Sequence, residues 1–345
     1  MDKLMPGLDY KNSGVDIAAG EAAVKAIKHK VRETYNENVL SDLGSFGGLY
    51  RLNKDHWEKP VLVSSTDGVG TKLRIAIMAK TYGSIGQDLV NHCVNDILVQ
   101  GAIPQFFLDY IGVGKLDPQM IEQLINGLII ACKENGCALI GGEMAEMPGI
   151  YQTDDFDLAG TIVGMVEEGA LLPRASMQAG DVLVALPSSG LHTNGYSLVR
   201  KIVFQHLQLG LDAYIPECKE MLGELLLRVH RSYLPVLKDK LTDPALHGLA
   251  HITGGGIAGN LSRILPDNLC ARVNLSDNRI PALFHWLGNS GKISTDVMRQ
   301  TFNLGVGMIC VVEANSAEGF TEIDGAWILG ELSSIGAQQP KVEFI

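Results

Sequence analysis

The sequence predicts an α/β (α+β) chain of two domains. Strand-like apolar runs and helix-spaced apolar stripes alternate through both halves of the 345 residues. The 39 glycines cluster at the ends of those runs, which is not the pattern of a flexible linker. A polar, glycine-containing stretch at 167–181, EEGALLPRASMQAGD, separates two series of such units, and this length has room for two cores. We place the boundary near Gly169, giving domains 1–168 and 169–345.

Residues 15–32 carry Ile17, Val24, Ile27 and Val31 at helical spacing. Residues 41–52, SDLGSFGGLYRL, form a glycine-rich loop with Phe46 and Tyr50. A strand is expected at 61–65, then the glycine loop SSTDGVGTK and a helix from Leu73. The next helix, 86–100, has an apolar face of Leu89, Val90, Cys93, Val94, Ile97 and Leu98. A strand at 106–110 precedes a helix at 118–135, started by Asp117 as cap and Pro118 in the first turn. Strands follow at 137–140 and 157–166. In the second half a strand at 182–186 leads through a glycine–serine loop to a helix from Tyr196, and 220–236 is expected to be helical, broken near Pro235. AHITGGGIAGNLSRILP gives a strand end, a triple glycine and a short helix. TFNLGVGMICVV and 327–331 give two more strands. No short-period repeat is visible.

The net charge of −11 argues against a general affinity for nucleic acid or an anionic membrane. Six scattered cysteines without a C-x-x-C pair indicate neither a zinc site nor a disulfide framework, and suggest buried thiols in a reducing compartment. The first residues, MDKLMPGLDYKNSGVD, lack the apolar core of a signal peptide, and no run of about 18 apolar residues exists. A cytoplasmic location is expected.

SSTDGVGTK occupies the place of a phosphate loop, but its ending is inverted to Gly70-Thr71-Lys72, and Asp67 stands at its head. Asp67 is either a turn former or a metal ligand. Asp96 follows on the 86–100 helix, with Asp88, His92 and Asn95 on the face opposite the apolar stripe. That face is either solvated or part of a site. LIGGEMAEMPG places Glu143 after a strand and two glycines, with Glu146 three residues on. Carboxylates at strand ends make a hard-oxygen site suited to Mg²⁺, through which a polyphosphate docks on an acidic protein while glycine N–H groups and Lys72 cover its other oxygens.

The second half offers different chemistry. LPSSGLHTNGYSLVRK has Ser188, Ser189 and Gly190 after a strand, then His192, Thr193 and Asn194 before a helix, an arrangement that favours an anion. HITGGGIAGN repeats it from Thr253 to Gly256. His192 and His251 are either acid–base groups or organisers of their own loops. The triple glycine either serves a ligand or allows tight packing. FNLGVGM is expected to let another backbone approach closely.

TDGVGTKL, VNDILVQGA, GGEMAEMPG, SSGLHTNGYSLVRK, TGGGIAGN and FNLGVGM, with YKNSGVDI near the start, together resemble the phosphoribosylformylglycinamidine cyclo-ligase (AIR synthetase) family, in order and over nearly the whole chain. The resemblance implies two α/β domains, with the N-terminal sheets of two subunits joined in a homodimer. It implies ATP-dependent closure of formylglycinamidine ribonucleotide (FGAM) to aminoimidazole ribonucleotide (AIR) in purine biosynthesis, with Mg²⁺. Neither nucleic acid nor a membrane is expected as a partner. Carried onto this chain, Asp67, Asp96 and Glu143 would hold the metal. Gly68, Gly70, Thr71, Lys72, Asn95 and Gly142 would line the nucleotide. His192, His251 and Lys72 would act in catalysis. Gly47, Ser188, Ser189, Gly190, Thr193, Asn194, Thr253, Gly254 and Gly255 would face substrate, and the loop 44–48 would cover the site. Selenophosphate synthetase shares this implied architecture but needs a cysteine or selenocysteine in its early glycine-rich loop, and no cysteine precedes Cys93. Thiamine-monophosphate kinase would lack SSGLHTNGYSLVRK in this form, and a non-catalytic ATP-binding subunit is the alternative from another class.

Overall fold

Each half of the chain builds its own sheet. The computed structural model describes residues 14, 17–53, 55, 57–336 and 339–345. Residues 15 and 16 of the expected first helix, and residues 10–13, 15 and 16 of YKNSGVDI, lie outside them. The first half runs α1 (Ile17–Val31), β1 (Pro60–Gly68), α2 (Leu73–Ala79), α3 (Gly83–Leu98), β2 (Ile103–Val113), α4 (Pro118–Glu134), β3 (Ala138–Glu146) and β4 (Phe156–Glu167). Its sheet has the order β1-β4-β2-β3, with only β2 and β3 parallel, and α4 supplies the crossover that a parallel pair requires. Helix α4 starts as its sequence dictates: Asp117 caps it by accepting from the Gln119 N–H at 2.9 Å, and Pro118 opens the first turn.

The second half runs β5 (Val182–Pro187), α5 (Tyr196–Arg200), β6 (Tyr214–Ile215), β7 (Glu220–Met221), α6 (Leu222–Leu227), α7 (Leu234–Leu237), β8 (Leu246–His251), α8 (Gly256–Leu261), β9 (Leu269–Val273), α9 (Ala282–Gly291), α10 (Thr295–Thr301), β10 (Val306–Val312), α11 (Ala317–Thr321), β11 (Trp327–Ser334) and β12 (Val342–Phe344). Six strands form a sheet in the order β12-β9-β11-β5-β10-β8, while β6 and β7 pair separately. The unbroken apolar runs VLVALP and VGMICVV are its inner strands, largely buried on both faces. Every strand of the smaller sheet precedes Gly169 and every strand of the larger follows it. One core nevertheless crosses between them, joining Leu89, Phe107 and Leu124 to Leu186, Tyr233 and Leu246.

The segment 220–236 departs from the helix its pattern predicts. Helix α6 ends at Leu227, residues 228–233 are non-helical, and Pro235 sits in the first turn of α7. The cause is tertiary. Asp88 and Asn95 on α3 accept from the His230 and Tyr233 N–H groups at 2.7 and 3.0 Å. Asn91 and Asn95 donate to the His230 and Arg231 carbonyls at 2.8 and 2.9 Å. These bonds replace those of a helix, and the partners lie over 130 residues away in sequence, beyond the reach of local propensity. The polar face of α3 is therefore neither solvated nor wholly a ligand site, because Asp88, Asn91 and Asn95 are its seam with the second half.

Five cysteines are buried thiols as expected, while Cys218 is only half-buried. Among the described residues no helix is long and apolar enough to cross a membrane.

Candidate active site

Helix periodicity puts His92 and Asp96 one turn apart on α3, facing the end of β1 and the end of β8. Asp67, exposed at the end of β1, accepts from Nε2 of His92 at 2.8 Å and from the Gly68 N–H at 2.7 Å. Asp96 is half-buried. One oxygen takes Nδ1 of His251 at 2.8 Å, and the other lies 3.3 Å from the Ser65 hydroxyl and 3.6 Å from Nε2 of His92. Two carboxylates from separate elements thus share one histidine, with a second histidine behind. Burial disfavours charge on both acids, but hydrogen bonds and charge from His92 and His251 outweigh it and hold both carboxyls below their ordinary value. His92 is pulled down by burial, yet Asp67 and Asp96 lift it above its usual range. Burial keeps His251 low despite Asp96.

Behind this pair lies a closed group of rings. His192 stacks on His230 with centroids 4.0 Å apart and planes 18° apart. Nε2 of His230 lies 3.0 Å from Nε2 of His251, and the Thr193 hydroxyl bridges Nδ1 of His92 at 2.8 Å and Nδ1 of His230 at 3.4 Å. His192 is 1% exposed, accepts from the Ser189 N–H at 3.2 Å through Nε2, and leaves Nδ1 without a partner. Burial, with neighbouring positive charge, drives His192 and His230 well below the ordinary imidazole value, so both are neutral. Gly307 makes room for this stack. A Cβ there would stand 1.7 Å from the Tyr233 hydroxyl and 2.7 Å from Cε1 of His192. FNLGVGM therefore admits side chains where a backbone was expected.

The expected site residues separate into groups. Asp67, Asp96 and His251 come together. Gly68, Gly70 and Thr71 follow Asp67: Gly68 stays beside the Leu158 carbonyl, Gly70 approaches the Thr193 carbonyl of the second half, and the Thr71 hydroxyl meets that of Ser197 on α5 at 3.0 Å. Asn95 belongs to the seam. Lys72, expected at a phosphate, turns inward instead: its ammonium is fully buried, 2.7 Å from Asp88, and donates to the Arg228 carbonyl at 2.6 Å. The apolar first turn of α2 follows directly and carries it into the core. His192, expected to be reachable, is enclosed. Glu143 is also apart. Asp67 pairs with Gly160, Gly160 with Asp109 and Asp109 with Gly142, so Glu143 lies three strands away, roughly 14 Å at ordinary strand spacing. Glu143, Gly142 and Gly44 line a different cavity of about 110 Å³, and Gly47 stands exposed on the loop beside it.

Ser188 is engaged with the Gly190 carbonyl and Asn303, and Ser189 with the Val229 carbonyl. Thr193 is buried in the histidine group, and Asn194 is half-buried beside it. Thr253 lines a cleft with Asp96 and His251, while Gly254 and Gly255 are exposed next to it. That cleft has a volume of about 470 Å³, a size typical of small-ligand sites. His230 escaped the sequence reading because its segment has a helical pattern.

The donor set decides which metal fits. Asp67 and Asp96 are ionised hard-oxygen donors, and each carboxylate keeps unused lone pairs, which suits Mg²⁺. His192, His230 and His251 also have ring nitrogens close together. Stacked rings point their lone pairs in parallel planes, however, so one ion does not lie in the planes of both His192 and His230.

The family described as AIR synthase related protein, N-terminal domain, matches residues 48–166, and its C-terminal domain matches 178–341. The phosphoribosylformylglycinamidine cyclo-ligase of Alkaliphilus metalliredigens (strain QYMF) is 44% identical over 333 residues, covering 95% of this chain and 96% of that protein. The protein of the same name from Geobacter sulfurreducens is 46% identical over 344 residues, covering 98% and 99%. Among solved structures, thiamine-monophosphate kinase from Stenotrophomonas maltophilia K279a superposes with a TM-score of 0.67 at 19% identity over 92% of this chain and 95% of that one. Hydrogenase maturation protein HypE in complex with ATP gives 0.63 at 18% identity over 96% and 92%. At those identities the likeness is one of fold.

Proposed function

The chain belongs to the AIR synthase related family, and on that premise we infer that it closes the imidazole ring of FGAM to give AIR, using ATP and releasing ADP and phosphate, in de novo purine biosynthesis. The observation that carries this reading is the pair of carboxylates Asp67 and Asp96, joined through His92, with Asp96 and its partner His251 on the wall of a ligand-sized cleft.

The chemistry needs positioning more than a nucleophile. ATP phosphorylates the formyl amide oxygen of FGAM, the amidine nitrogen of the same molecule attacks that carbon, and phosphate leaves with the oxygen. Ring closure is intramolecular, so the protein's task is to hold a near-attack geometry. Asp67 and Asp96 would hold Mg²⁺, which supplies charge balance for the triphosphate. His251, held through Nδ1 by Asp96 and sharing Nε2 with His230, lines the cleft and is assigned the proton-handling role there, passing its proton through these hydrogen bonds. His92 fixes the two carboxylates relative to one another. His192 and His230 form the neutral floor that holds His251 in place, and Lys72 pins the Asp67 loop to the second half. Glu143 serves the nucleotide at a separate point and is not a third ligand of the same ion.

We place the protein in the cytoplasm as a homodimer joined through its four-stranded sheets. In support, β1 is an edge strand and its Leu62 is 59% exposed. The test is direct: purified chain with FGAM, ATP and Mg²⁺ should yield AIR and ADP one for one. A folded chain that yields no AIR rejects the reading.

A further inference from the structure

The cleft beside Asp96 is electrically uneven. Asp96 and His251 line it, and so does Arg263, just beyond α8. Most arginines here are occupied. Arg74 and Arg228 pair with acids, Arg174 and Arg231 donate to carbonyls, and Arg299 lies over Phe344. The guanidinium of Arg263, exposed at the cleft, has no such partner among the described residues. The wall that carries it is fixed in place. Buried Asn260 donates through Nδ2 to the carbonyls of Thr253, Gly254 and Gly256 at 3.3, 3.2 and 2.8 Å, and its carbonyl oxygen takes the Thr253 hydroxyl proton at 3.1 Å. The Arg263 N–H bonds back to the Asn260 carbonyl at 3.2 Å, so the arginine leaves from this pinned turn. With its proton given to Asn260, the Thr253 hydroxyl is not free to donate to an anion, and Arg263 supplies the positive charge on this lining.

We propose that Arg263 recognises the 5′-phosphate of the ribonucleotide substrate, setting the substrate along the cleft with its phosphate at Arg263 and its amide and amidine at Asp96 and His251. This rests on the ring-closure reading. A guanidinium offers a planar fork of donors that matches phosphate oxygens in pairs.

The experiment compares FGAM with its dephosphorylated nucleoside in wild type, Arg263→Ala and Arg263→Lys. Loss of a charge-assisted contact should raise KM for FGAM about 10- to 100-fold in Arg263→Ala, leaving kcat, the KM for ATP and the melting temperature close to wild type. Arg263→Lys should recover part of the loss. The decisive readout is discrimination. Wild type should favour the nucleotide over the nucleoside by at least the same factor, and Arg263→Ala should lose that preference while handling the nucleoside as wild type does. If wild type converts FGAM and Arg263→Ala keeps both its KM and its preference, this inference is overturned and the ring-closure reading stands. If wild type converts no FGAM, both fall.

Discussion

Lys72 and Asp88 form an ion pair of 2.7 Å with no solvent on either side chain. The loop that begins like a phosphate cradle thus ends by burying its lysine. Burial lowers the Lys72 pKa and raises that of Asp88, so each depends on the other to stay charged. The pair also holds the second half, through the Arg228 carbonyl on one side and the His230 N–H on the other.

Breaking that pair should be costly. Asp88→Asn strands a buried ammonium, and a loss of about 3–5 kcal/mol in urea unfolding is expected. Adding Lys72→Met removes the stranded charge and should recover part of the loss. A single variant as stable as wild type would show that the pair does not join the halves.

Acid should weaken the fold through His192 and His230. Both are neutral in the folded chain because burial lowers their pKa, while in the unfolded chain they take protons below about pH 6.5. The unfolded state then binds more protons, so this stability is present above about pH 6.5 and is lost as pH falls. Each residue contributes a slope of about 1.4 kcal/mol per pH unit well below that point. His92 behaves oppositely: its raised pKa gives stability that is full below its unfolded value and is lost as pH rises through the folded one. His230→Gln should flatten the acid limb by about one proton. An unchanged slope would mean that His230 is charged in the fold.

The metal requirement should divide by geometry. Asp67→Asn and Asp96→Asn should each raise the magnesium needed for half-maximal turnover, and the double variant should fall short of their sum because both act on one site. Glu143→Gln, three strands away, should combine additively with either. Additivity of Asp67 with Asp96 would place them on different ions.

Assembly is tested by light scattering at micromolar concentration. Twice the mass of one chain is expected, and Leu62→Arg on the exposed edge strand should shift it toward one. An active wild-type monomer would reject the joined sheets.

Much of this was legible in the sequence. The strand–loop–helix around Asp67, the capped start of α4 and the family motifs follow from local pattern, and local pattern is what those features consist of. The inward turn of Lys72, the non-helical segment 228–233 and the burial of His192 were not legible. Each is set by partners from the other half of the chain: Asp88 with Lys72, Asn91 and Asn95 with that segment, and His230 under His192. The distance of Glu143 from Asp67 likewise depends on strand order, which an acidic residue after two glycines does not reveal.

On the proposed function, ring closure takes place beside Asp96 and His251, with His192 as structural support. The most direct measurement is single-turnover ring closure and melting temperature on the same preparations of His251→Asn and His192→Asn. Asn at 251 keeps one hydrogen bond but does not titrate near pH 7, so closure should slow by roughly 10²-fold or more with the fold retained. Asn at 192 should lower the melting temperature and leave the rate per folded molecule nearly unchanged. The reverse pattern, a slow but stable His192 variant beside a His251 variant with wild-type turnover, would contradict it.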